Sequence, residues 1–146
     1  MDKFIRKLIA NDVKKLKQDF EGLYSAMLND NGGVIDDLIA YRLESGYRLV
    51  VNCATRGEDL KWISTKVKDY EVEMIERDDL SMVAIQGPKS SEVLSKCPAP
   101  IVRALESKKK QQGVFGNNMF ATKTGYTGEI GFEVILPHDQ ALLDSY

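Results

Sequence analysis

The chain has 146 residues, 43% of them hydrophobic, with 20 basic and 22 acidic side chains, a formal net charge of −2 and a pI near 5.5. That is enough apolar material for one ordinary core or two small ones, and the near-even charge balance argues against nucleic acid or a membrane surface as an obligatory partner. No apolar run is long enough to cross a bilayer as a helix.

Phe4, Leu8 and Ile9 recur at helical spacing, which predicts a helix over residues 2–11. Nothing between Met1 and Lys17 combines an uncharged apolar block with a small-residue cleavage site, so no secretory leader is expected. Strands are expected over residues 22–29, 34–43 and 47–53. The turn-forming run Asn29-Asp30-Asn31-Gly32-Gly33 and the short connection Glu44-Ser45-Gly46 would join them into an antiparallel meander.

The second strand contains Gly32-Gly33-Val34-Ile35-Asp36-Asp37-Leu38-Ile39, two adjacent carboxylates inside an apolar run. An ionised Asp in a half-buried strand is costly unless something pairs with it. Alternation places Asp36 with Val34 and Leu38, and Asp37 with Ile35 and Ile39 on the opposite face, so the two should not share one proton as a dyad. Asp36 is either a ligand-facing group or an edge or bulge residue that reaches solvent.

A helix follows over residues 56–68, with Thr55 able to cap it, Glu58 completing a capping box, and Leu60, Ile63 and Val67 facing the core. Residues 72–76 alternate as a strand, and a break falls near Arg77-Asp78-Asp79. Then come a buried strand over 81–86, closed by Gly87-Pro88, and a helix over 90–96 with Val93 and Leu94 inward. A helical turn over 101–105, strands over 119–123 and 132–136, and a helical pattern at the C-terminus complete the series. Helices interspersed among antiparallel strand pairs give an α+β class, with antiparallel sheets and flanking helices.

Lys108-Lys109-Lys110 lies among Ser107, Gln111 and Gln112 without aromatic interleaving, as a solvated loop would. Cys53 and Cys97 lack metal-ligand neighbours at useful spacing, and reduced thiols are expected. His138, the single histidine, should be exposed at the start of the final helix. The run from Gly125 through Gly128 to Gly131 lies between two strands, unlike a phosphate-binding loop, which joins a strand to a helix. Glu133 follows it among Phe132, Val134, Ile135 and Leu136. Either it lies on the exposed face of a strand, or it binds a planar pair of N–H donors such as a pterin edge.

Tyr24, Gly32 to Ile39, Leu49-Val50-Val51-Asn52, Leu80 to Pro88 and Gly125-Tyr126-Thr127-Gly128-Glu129 with Gly131-Phe132-Glu133 occur in that order. Ala54-Thr55-Arg56, Asp59-Leu60 and Trp62-Ile63 add to them. Together they closely resemble the aminomethyltransferase, or T-protein, family of the glycine cleavage system, over essentially the whole chain. The resemblance implies transfer of a methylene carbon from the aminomethyl-lipoyl arm of H-protein to tetrahydrofolate, with release of ammonia. It also implies a catalytic role for Asp36, which would orient the folate and stabilise developing positive charge. Asp37 would point away and be structural. Tyr24, Asn52 and Tyr126 would line the folate pocket, and Glu133 would hold the pterin edge.

Family proteins are more than twice this length, so the resemblance implies an internal fragment, inactive or nearly so alone. Their folate-binding region is two related α+β halves that exchange strands. Residues 1–80 would belong to one half and 81–146 to an incomplete second half, leaving open sheet edges prone to self-association. Cytoplasm is the expected compartment, or the mitochondrion in a eukaryote. The folate domain of sarcosine- or dimethylglycine-oxidising enzymes, and a folate-binding module without chemistry, are the alternative readings.

Overall fold

A computed structural model describes residues 1–97 and 100–139. The fold is α+β, built of antiparallel sheets with a few short helices. The chain forms two compact units, Met1–Glu76 and Arg77–Tyr146, and every strand pairing among the described residues joins strands of one unit.

The first unit opens with helix α1 (Asp2–Leu8), whose Phe4, Ile5 and Leu8 are buried. It is shorter than the periodicity predicts. Ile9 turns extended and bridges Met27, and the Ala10 N–H donates to the Ala26 carbonyl, so the chain leaves the helix to lie along a strand. Strands β1 (Gly22–Leu28), β2 (Val34–Leu43) and β3 (Gly46–Val51) make a meander in that order. The first turn is organised by Asn29, whose side-chain oxygen accepts from the N–H groups of Asn31 and Gly33 while Gly32 takes a positive φ of 81°.

Helix α2 (Arg56–Val67) covers the sheet through Ile63, with Trp62 and Val67 packed at the margin of the core. The strand expected over residues 72–76 does not form. Val72 and Met74 pack against the core, but the Val72 N–H turns back to the Tyr70 carbonyl and no neighbouring strand supplies a ladder, so alternation here reflects one-sided burial alone.

The second unit holds strand β4 (Leu80–Gln86), helices α3 (Ser90–Lys96) and α4 (Pro100–Arg103), and strands β5 (Gln112–Gly116), β6 (Met119–Lys123) and β7 (Gly131–Pro137). Its sheet runs β4-β7-β6-β5, all antiparallel. Leu94, Leu105, Met119, Ala121, Phe132, Val134 and Leu136 form the core. Val93, expected inward, is 52% exposed. Two helical turns can seat only one stripe, and Ser90 and Leu94, four residues apart, take it.

Strand β5 escapes the sequence pattern because two glycines and Gln112 dilute its apolar content. Its signal is the Asn117-Asn118 pair, both at positive φ (50° and 59°), a two-residue hairpin turn joining it to β6. His138 is exposed, with ring nitrogens 2.6 Å from Ser81 Oγ and 2.5 Å from the Asp78 carbonyl, tying the end of β7 to the start of β4. The helical pattern expected at Leu142 to Tyr146 lies outside the described residues.

Candidate functional site

The first unit gathers its chemistry where β2 begins, β3 ends and α2 starts. Pairing of β1 with β2 shifts at Met27/Leu28: Met27 faces Asp36 and Leu28 faces Val34, leaving Ile35 in a bulge. Alternation therefore fails at the strand's start. Val34 is 69% exposed and Ile35 packs on the core, although pure alternation would put Val34 with Asp36 and Leu38. Asp36 lies opposite Met27 and two residues from Leu38, both core residues, so it ends the core-facing row of β2.

That position demands partners, and four are present. The Thr55 hydroxyl donates to Asp36 Oδ2; the Asp37 backbone N–H and the Asn52 side-chain amide donate to Oδ1 at 2.8 and 2.9 Å. The Asp59 carboxyl also lies within hydrogen-bonding reach. The Thr55 bond, then the Asp37 N–H, hold the Asp36 carboxyl below the usual carboxylate range against a smaller opposing effect of burial, with Asn52 and Asp59 adding to the lowering.

Asp37 is on the opposite face, as alternation predicts, but it does not point away from the network. Its Oδ2 accepts from the Tyr24 hydroxyl at 2.6 Å and its Oδ1 from the same Asn52 amide at 3.0 Å. The reason is Asn52's place just past the end of β3, at the rim of the sheet, where one amide reaches carboxylates of both faces. Tyr24 stays 53% exposed, and its bond to Asp37 raises the phenol pKa.

Thr55 departs from its expected role. It stands at the N-cap of α2 but its side chain makes no capping bond, because its hydroxyl is turned to Asp36. Sequence reasoning also missed Asp59. A first-turn acid usually sits near a helix N-terminus in solvent, where it favours the helix dipole. Here Thr55, Asp59, Ile63 and Val67 are spaced by four, so Asp59 shares the stripe of the buried Ile63 and is 0% exposed. That spacing was the available signal. Burial pushes the Asp59 carboxyl up, with the neighbouring Asp36 and Glu58 charges adding to the rise against the opposing influence of the nearby Thr55 hydroxyl.

In the second unit, Glu133 is half-buried on β7, opposite Ala84 of β4 and Thr122 of β6. Burial raises its pKa, and no hydrogen bond or ion pair satisfies it among the described residues. Tyr126 is 72% exposed in the preceding loop. That loop is held at both ends: the Gln86 amide donates to the Thr124 carbonyl at 3.1 Å and the Ser90 hydroxyl to the Ile130 carbonyl at 2.7 Å. Gly125 is needed there, since a Cβ would stand 2.3 Å from the Glu129 carbonyl oxygen.

Residues 1–143 match the family model described as the GCVT N-terminal domain. The chain is 44% identical over 142 residues to an aminomethyltransferase of Pseudomonas syringae pv. tomato, covering 94% of this chain and 39% of that protein. It also superposes, with a TM-score of 0.83 and 28% identity, on a crystal structure of glycine cleavage system aminomethyltransferase T from Bartonella henselae, over 98% of this chain and 38% of that one. The chain thus spans well under half the length of either relative.

Proposed function

Because this chain belongs to the family of the GCVT N-terminal domain, we propose that it supplies the folate-binding residues of a tetrahydrofolate-dependent aminomethyltransferase of the glycine cleavage system. The observation that carries this reading is the Asp36 carboxylate, partly sheltered yet held ionised by Thr55, the Asp37 N–H and Asn52. An anion fixed by donors that need not rearrange is suited to a reaction in which positive charge develops, because the electrostatic work is done in advance.

Tetrahydrofolate is the acceptor substrate, and the residues present fit it. Glu133 is a half-buried carboxylate with no partner among the described residues, able to take two parallel N–H donors from a pterin edge. Tyr126 offers an exposed ring in a glycine-bearing loop, and Tyr24 and Asn52 present polar groups beside the carboxylates. In the proposed reaction the methylene carbon leaves the aminomethyl-lipoyl arm of H-protein, ammonia is released, and tetrahydrofolate receives the carbon. Asp36 faces the developing cation, and Glu133 fixes the angle of the acceptor. The chain alone should support little transfer, since a site that must seat two large substrates is assembled from more of the protein than the length matched here.

The test is ammonia release from aminomethyl-lipoyl H-protein by a protein carrying this chain at the full length of its relatives. Asp36→Asn should lower kcat roughly 100- to 1,000-fold, the cost of removing one preorganised electrostatic group, while Glu133→Gln should act mainly on the KM for tetrahydrofolate. An unchanged kcat in Asp36→Asn would leave Asp36 a structural residue and remove the mechanism's centre.

A further inference from the structure

The buried carboxyl of Asp59 has no use in the function proposed above. It is 0% exposed, and neither of its oxygens meets a hydrogen-bond donor among the described residues. What it reaches is the Asp36 carboxylate, with the Thr55 hydroxyl nearby but outside hydrogen-bonding geometry. The Thr55 hydroxyl has one proton, and that proton is directed to Asp36 Oδ2. An ionised Asp59 would therefore stand out of water beside a second carboxylate with nothing to satisfy it, the arrangement that low-dielectric surroundings penalise most.

A proton on Asp59 removes the conflict. Its O–H can then donate directly to the Asp36 carboxylate, which also accepts the Thr55 hydroxyl, so that the pair carries a single negative charge. We propose that Asp59 is a positioning residue that keeps a proton and, by donating it to Asp36, fixes that carboxylate and keeps it ionised. The surroundings agree with a neutral Asp59. The charged groups acting on it are Asp36 from β2 and Glu58 from its own helix, both anionic, while α1 and the segment after α2 bring apolar Phe4, Ile5, Leu8, Val72 and Met74 to the core that α2 covers. No cation is among the groups that shift it.

The use of this device, keeping Asp36 anionic, rests on the proposed function; the device itself does not. Its test is a carboxyl-carbon NMR titration of the whole 146-residue chain with labelled aspartate, from about pH 3 to about pH 9, bracketing ordinary carboxyl values. Asp59 should titrate above the ordinary carboxyl range and Asp36 below it. Asp59→Ala should move the Asp36 midpoint upward, whereas Asp59→Asn should leave it low, because a carboxamide can still donate to the Asp36 carboxylate. A wild-type Asp59 midpoint within the ordinary range, or an Asp36 midpoint unmoved by Asp59→Ala, would overturn the inference. Should Asp59→Ala fail to fold, Asp59→Leu decides the matter, since it fills the same space, cannot donate to Asp36 and must likewise raise the Asp36 midpoint. Failure to bind folate would count against the function and leave these midpoints as they are.

Discussion

Asp36 and Asp59 have carboxyl pKa values displaced in opposite directions, Asp36 downward chiefly by the Thr55 hydroxyl and Asp59 upward chiefly by burial, and the displacement has a consequence for stability. Asp36, lowered in the folded state, contributes stability above the ordinary carboxyl range that is lost as the pH falls through its folded value. Asp59, raised, contributes stability that is full below the ordinary range and lost as the pH rises through its folded value. Asp59→Asn removes only the second dependence. Denaturation midpoints of the variant, measured from about pH 4 to about pH 8 across ordinary and raised carboxyl values, should therefore fall less with rising pH than those of the wild type. Parallel profiles would mean that Asp59 is not held protonated. At this scale the sequence was half legible. Asp36 and Glu133 stand out because carboxylates in apolar runs have no packing purpose, whereas Asp59 looks like an ordinary first-turn acid until the helix is seen to turn its Thr55-Asp59-Ile63 stripe inward.

Elements with strong periodicity or clear turn chemistry were readable: β2, α3 and β6 take the spans their patterns predict. The misses share a cause, that burial pattern and hydrogen bonding are separate facts. Residues 72–76 alternate without a strand to pair with, and β5 pairs without alternating strongly. The same distinction governs the loop between β6 and β7. An alanine Cβ at Gly125 would meet the Glu129 backbone oxygen at 2.3 Å, which only a shift of the loop can relieve. At Gly131 it would meet the Gln86 side-chain oxygen at 1.9 Å, and that side chain can swing away at the cost of its bond to Thr124, about 1 kcal/mol. Gly125→Ala should accordingly lower the thermal midpoint more than Gly131→Ala. The reverse order would show that Gln86, not the loop backbone, is the rigid partner.

At the scale of the molecule, each unit carries its own core, and each sheet has edge strands. On β4, an edge of the second sheet, Met82 and Val83 are 45% and 46% exposed. Apolar side chains on a strand with unpaired backbone groups invite another chain to pair. Light scattering should show the apparent mass rising with concentration, and Val83→Lys should suppress the rise. A monomer at high concentration would sink the expectation of self-association. The family was readable from motifs in register along the chain, and the family model and fold agree with it.

The most direct test of the central claim, that these residues hold a reduced folate, is calorimetric titration of tetrahydrofolate into this chain and into its Asp36→Ala and Glu133→Ala variants. The account predicts saturable binding by the wild type that both variants weaken, Glu133→Ala through loss of a paired hydrogen bond to the pterin edge. Absence of binding by the wild type, or equal binding by all three proteins, would contradict it.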